Sequence, residues 1–179
     1  MKPAIFLDRD DTIIKNVPYL GDPSQVRILP GVPEALDHWE KAGFSLFIIS
    51  NQSGVGRGLI TKEQVLAVND EMNRQLGKNF FAAIYNCYAA PEDPWSAEER
   101  KPSPGLVRKA ILDHDLDLTR SFMVGDRLSD VQCGKNAGCR SVLVLTGDPG
   151  KEQDEAKRVA DFIADGLLQA AEWTLSNKK

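Results

Sequence analysis

Apolar residues in this chain come in short runs set apart by polar stretches marked with glycine and proline. Ala4-Ile5-Phe6-Leu7 is unbroken, and residues 44–49 are apolar save for Ser45. Runs of this kind suit parallel strands covered on both faces. Between these two runs, residues 12–30 are irregular, punctuated by Pro18, Gly21, Pro23 and Pro30. That is long for a connection, and long connections often carry function. Val32, Ala35, Leu36 and Trp39 then keep helical spacing up to a stop at Gly43. Thr61 with Gln64 forms a capping-box pattern opening a helix to about Leu76, with Val65, Val68 and Met72 on one face and Gly77 beyond. Residues 82–90 read as a third strand, and Ser103-Pro104 as a helix start with proline at the first helical position, the helix ending near His114. Residues 121–125 and 141–145 are the fourth and fifth strands. The helix between them is expected to begin on a Ser129–Gln132 capping box and end at Gly138. Phe162-Ile163 is a candidate last strand before an amphipathic helix over residues 167–175.

Alternating strands and helices predict an α/β fold, a doubly wound and mostly parallel sheet. At 179 residues the chain fits one domain, residues 1–179. The longest loop candidates, 12–30 and 91–102, are too short to fold as a separate cap domain. A content of 42% hydrophobic and 27% charged residues is ordinary for a globular protein and excludes a disordered chain. No apolar run approaches the length that crosses a bilayer, so no membrane partner is expected. The net charge of −4 argues against a nucleic-acid-binding surface spread over the whole fold, though not against local basic patches, and no nucleic-acid partner is expected. Three cysteines without a C-x-x-C pair read as reduced thiols, and the N-terminus lacks signal-peptide architecture; the expectation is a cytoplasmic monomer.

Composition says nothing of chemistry, but the strand ends do. The first strand stops in Asp8, Asp10 and Asp11, and the fourth in Asp126 with Asp130 following. Carboxylates crowded at the mouth of a buried strand repel one another and resist desolvation unless a cation lies between them. Open parallel sheets bind ligands at the carboxyl ends of their strands. That rule gathers Asp8 and Asp10, Ser50 and Asn51, Arg100 and Lys101, and Asp126 on one edge. Carboxylates for a hard cation such as Mg²⁺, a hydroxyl and several cationic side chains describe a phosphoryl cradle, in which one carboxylate can attack phosphorus while another handles protons.

Asp8-Arg9-Asp10-x-Thr12, Ser50-Asn51-Gln52-Ser53-Gly54, Lys101-Pro102 and Gly125-Asp126-x-x-x-Asp130 together resemble, in order, the four motifs of the haloacid dehalogenase superfamily. The runs FLDRD, SNQSGVGRG, RKPSPG and VGDRLSD are most similar to its branch of heptose bisphosphate and histidinol-phosphate phosphatases. The resemblance implies Asp8 as nucleophile and Asp10 as the acid and base that protonates the leaving alcohol and then activates water. It implies Mg²⁺ held by Asp8, the backbone carbonyl of Asp10, and Asp126, with Asp130 in support. Ser50 and Lys101 would bind phosphoryl oxygens, with Asn51 and Arg100 helping on the substrate side. The implied substrate is a small phosphorylated metabolite, D-glycero-D-manno-heptose 1,7-bisphosphate ahead of histidinol phosphate.

Two departures stand out. The family has glycine where this chain has Asp11, a residue that tolerates left-handed backbone better than most. The branch often carries a zinc loop of one histidine and three cysteines ahead of the lysine motif; here only Cys87 remains, so no zinc is predicted. Within a polar, glycine-rich loop over residues 51–60, residues 54–58 are expected to be a flexible substrate-facing segment, with Arg57 either touching a distal phosphate or lying free on the surface. Arg127 adjoins a metal ligand and is a candidate substrate contact. Trp95 is expected to anchor its own loop, with a lid as the alternative. His38 and His114 read as surface residues, and Cys133 and Cys139 as small buried hydrophobes. A reading of another class remains open here: a receiver-like module phosphorylated on aspartate as a signal. Asp10, an acid–base residue that such a module does not need, favours turnover.

Overall fold

Six strands pair in the order β3-β2-β1-β4-β5-β6, and every pairing is parallel. They are β1 (Ala4–Leu7), β2 (Ser45–Asn51), β3 (Phe81–Cys87), β4 (Phe122–Gly125), β5 (Arg140–Val144) and β6 (Phe162–Ala164). The structure is a computed structural model that describes residues 1–148, 150 and 152–178. Side chains along a strand point alternately to opposite faces, and the core divides accordingly. Ile5, Leu7, Leu46, Ile48, Phe122 and Val124 face one layer, packed under α1 (Val32–Lys41), α3 (Lys62–Leu76) and α8 (Leu167–Ser176). Ala4, Phe6, Phe47, Ile49 and Met123 face the other, under α5 (Gly105–His114) and α6 (Leu128–Ala137). The doubly wound reading therefore holds. No folded insertion large enough to cap the sheet interrupts it among the described residues.

The helix signals transfer well. Val32, Ala35, Leu36 and Trp39 are the buried face of α1. Both halves of the Thr61–Gln64 capping box are made, and α3 ends at Gly77 in the left-handed conformation. Two other readings need correction. α6 opens at Arg127, whose N–H donates to Asp130 Oδ2 at 3.0 Å, so the residue closing the cap is Asp130 and not Gln132. The helix after Ser103 takes Pro104 as its N-cap rather than its first residue. Two one-turn helices lie within stretches read as loops, α2 (Ser53–Gly56) and α4 (Ser96–Glu99). A longer helix, α7 (Gln153–Val159), carried no sequence signal because Ala156 is its one buried residue.

The irregular stretch after β1 is anchored. Ile13, Ile14, Leu20 and Val26 are fully or nearly fully buried, and Ile14 bridges both Asp10 and Ile28. Strand order reverses between β1 and β4, and a crevice at such a reversal is where doubly wound sheets bind ligands. Asp8 and Asp126 are the residues that immediately follow those two strands.

Candidate active site

At that reversal lies a tight charge cluster. Lys101 Nζ donates to Asp8 Oδ1 at 2.7 Å and pairs with Asp130 Oδ1 at 2.6 Å, the second contact lying outside hydrogen-bond angles. All three side chains are buried or nearly so. Burial works against the lysine's charge, but Asp130 and Asp8 outweigh it and raise its pKa. Asp126 has no such partner. Burial, then the charges of Asp8 and Asp130, push its carboxyl from 3.8 up to about 8, and Arg127, 3.8 Å away, offsets this only in part. Asp130 is shifted upward too, chiefly by burial against the pull of Lys101. Gly125 and Gly147 make room here: a Cβ on either would collide with the carboxylate of Asp130 or Asp126 respectively.

Asp8, Asp126 and Asp130 offer carboxylate oxygens all within 4.8 Å of one another, and they are the only metal-ligating triad among the described residues. Asp126 Oδ1 is buried with no hydrogen-bond partner among the described residues. An orphaned carboxyl oxygen in a cluster of hard oxygen donors fits Mg²⁺. The Asp10 carboxylate lies elsewhere. Arg9, which is 1% exposed, donates to both of its oxygens, and Gln52 Nε2 donates to Oδ2 at 2.9 Å. Arg9 is itself held by Asn69 of α3 at 3.0 Å. Gln52 Nε2 also donates to Ser50 Oγ at 2.8 Å, joining the hydroxyl near the end of β2 to the Asp10 carboxylate.

The remaining predicted site residues divide. Asn51 bonds the backbone of Lys101 in both directions, at 3.1 and 3.2 Å, so its amide sets the lysine loop in place. Arg100 lines the pocket beside Lys101, its Nη1 buried without a partner among the described residues. Arg127 lines the pocket from the side of β4. Arg57 does not line it: Nη1 donates to the Tyr19 hydroxyl at 2.8 Å and Nη2 pairs with Glu92 at 3.1 Å. Trp95 is 81% exposed, which corrects the expectation that it anchors its own loop; Ser96, bonded to the carbonyl of Pro91, is the buried residue there. The glycine-rich loop is packed rather than loose, since a Cβ at Gly56 would lie 2.5 Å from the Ala90 nitrogen. Sequence reasoning passed over Arg9 and Gln52; both lie inside the quoted motifs, and an arginine set between two aspartates was the available signal. Cys133 and Cys139 are buried as expected, their thiols pushed up to about 12 by burial.

The pocket over these groups has a volume of about 410 Å³ and is lined by Asp8, Asp10, Lys101 and Arg100 together with Asn16, Tyr19 and Gly54. Among the described residues no helix is long and apolar enough to cross a membrane.

Known proteins echo this arrangement. The HAD-hydrolase-like family matches residues 98–170. The D-glycero-D-manno-heptose-1,7-bisphosphate 7-phosphatase of Chlorobaculum tepidum is 36% identical, over 93% of this chain and 91% of that one. The enzyme of the same name from Thermosynechococcus vestitus is 35% identical, over 96% and 95%. The crystal structure of D,D-heptose 1,7-bisphosphate phosphatase from B. bronchiseptica, complexed with magnesium and phosphate, superposes with a TM-score of 0.85 at 30% identity, over 98% of this chain and 99% of that one.

Proposed function

As the chain belongs to the haloacid dehalogenase superfamily, as a Mg²⁺-dependent phosphomonoesterase, we propose that it removes the 7-phosphate of D-glycero-D-manno-heptose 1,7-bisphosphate. The observation that carries this reading is the Asp8–Lys101–Asp130–Asp126 cluster under an open pocket of about 410 Å³, in a chain aligned nearly end to end with phosphatases of that sugar. Family membership sets aside the receiver-like alternative.

Asp8 attacks phosphorus through a carboxylate oxygen. The new P–O bond gives an aspartyl phosphate, and the P–O bond to the sugar breaks as Asp10 delivers a proton to the departing alkoxide. Asp10, now ionised, takes a proton from water as that water attacks phosphorus, releasing phosphate and restoring Asp8. The clamp of Arg9 and Gln52 holds the Asp10 carboxylate in one orientation for both transfers. Lys101 and the Ser50 hydroxyl take the oxygens of the transferring group, and Arg100 supplies a buried cationic donor toward the substrate. Asp8, Asp126 and the backbone carbonyl of Asp10 would hold Mg²⁺, with Asp130 in support, and the bound ion would neutralise charge on the phosphoryl oxygens. The protein acts as a single-domain enzyme of the cytoplasm, without zinc.

Phosphate release from heptose 1,7-bisphosphate and from histidinol phosphate, each with Mg²⁺, tests this. The bisphosphate is expected to be the better substrate, and Asp8→Asn to lower turnover by about 10³-fold or more. Turnover surviving Asp8→Asn would remove the nucleophile assignment; a preference for histidinol phosphate would remove the sugar.

A further inference from the structure

Three loops meet at the pocket rim, and one arginine joins them. Tyr19 follows β1, Arg57 follows β2 and Glu92 follows β3. Arg57 donates to the Tyr19 hydroxyl through one terminal nitrogen and to Glu92 through the other. Of the three, Tyr19 alone lines the pocket. It has a φ of 52°, a left-handed conformation that a residue with a side chain adopts only when its surroundings hold it. Its ring lies flush on Gly54, where a Cβ would come within 2.8 Å of Cδ1.

The second and third loops are joined through main chain: Gln52 N–H donates to the Cys87 carbonyl at 2.7 Å and Gly56 N–H to that of Tyr88 at 2.9 Å. The Tyr19 side chain is tied to this platform by the ring contact and the Arg57 hydrogen bond. Glu92 occupies the other arm of the guanidinium, neutralises it and aims it at the hydroxyl. A cation already bonded on both arms is poorly placed to take a second phosphate as well. We infer that Arg57 and Glu92 form a latch that fixes the Tyr19 ring as a wall of the substrate pocket, making both positioning residues for the sugar. The inference rests on the phosphatase reading above, and it assigns substrate fit to an ionic tie between loops in a chain that keeps only Cys87 of the zinc set its resemblance implies.

The test compares KM with kcat. Wild type, Arg57→Met, Arg57→Lys and Glu92→Gln are assayed with Mg²⁺ on acetyl phosphate, which fills little beyond the phosphoryl subsite, and on the sugar phosphate that wild type turns over best in a panel including heptose 1,7-bisphosphate. Arg57→Met is expected to raise KM for the sugar phosphate about five- to tenfold, the scale of one ordinary solvent-exposed hydrogen bond. Its kcat on both substrates and its KM for acetyl phosphate should stay within about twofold, and Arg57→Lys should recover part of the sugar KM. Glu92→Gln should raise the same KM more weakly. An unchanged sugar KM in Arg57→Met overturns the latch, as does a fall in kcat on both substrates. A lower bisphosphate KM in Glu92→Gln also overturns it, since Arg57 would then bind the distal phosphate itself. If wild type prefers another sugar phosphate, the substrate assignment falls while the latch is still judged on the same split.

Discussion

Asp11 stands where the family has glycine, and its backbone keeps the geometry a glycine would supply, with φ at 56°. Its carboxylate accepts the Asn16 N–H at 2.9 Å and so closes the turn, while its carbonyl accepts from Thr146 Oγ1. The extra acid beside the metal cluster is thus a turn cap. Asp11→Gly is expected to keep stability within about 1 kcal/mol, relief of strain offsetting the lost hydrogen bond and a floppier unfolded chain. Asp11→Ala loses the bond and also tolerates left-handed backbone less well than Asp does, for a cost of about 2 kcal/mol. Urea denaturation of the two variants checks the order, and equal losses would show that the conformation is not what the site demands. At this scale the motifs made Asp8, Lys101 and Asp126 legible, because residue type and spacing suffice once strand ends are known. What Arg9, Asn51 and Gln52 do was not legible. Each acts by pointing its side chain at a residue distant in sequence or at a neighbour's backbone, and sequence spacing does not encode that direction.

Among the elements, α6 is the one that brings fold and site together. Its first turn carries Asp130, and its Gly134 lies against the sheet, where a Cβ would come within 2.7 Å of Met123 Cβ and closer still to Ser141 Oγ. Glycine within a helix costs about 1 kcal/mol relative to alanine, so helix propensity alone predicts that Gly134→Ala stabilises. The packing predicts the reverse: a loss of about 2 kcal/mol from overpacking, with lower kcat as Asp130 shifts against Lys101. Thermal unfolding together with steady-state rates decides, and a higher melting temperature would show that α6 has slack against β4 and β5. Strands and long helices were readable because alternation and 3.6-residue spacing mark buried faces. The first turn of α6 was misread because two acceptors, Ser129 and Asp130, compete for one cap and their spacing does not rank them. Trp95 misled for a related reason: size predicts burial only on average, and here the small Ser96 fills the interior position.

Over the whole molecule, a net charge of −4 conceals an uneven distribution, with buried acids crowded at the head of the sheet. Their titration links pH, metal and stability. The Asp126 carboxyl is raised to about 8 in the fold, so between about pH 4 and pH 8 the metal-free native state holds a proton that the unfolded chain has released. Stability of the metal-free protein should therefore fall as pH rises through that window, with Asp130 pulling the same way. The raised Lys101 loses its contribution only at pH above the usual lysine range, outside this window. Mg²⁺ binds the ionised carboxylates and displaces these protons. Adding it is expected to raise the melting temperature more at pH 8 than at pH 5.5, and equal rises would show that these carboxyls are not the ligands.

The central position of β1 also bears on how the molecule comes into being. Ile5 pairs with Phe122 on one side and Leu46 on the other, and Lys101 meets Asp8 across 93 positions. Contacts so distant along the chain make folding slow, because loop closure must come before they reward it. A growing polypeptide holds its first strand half-paired until β4 has emerged from the ribosome, and no shorter fragment can possess a catalytic centre.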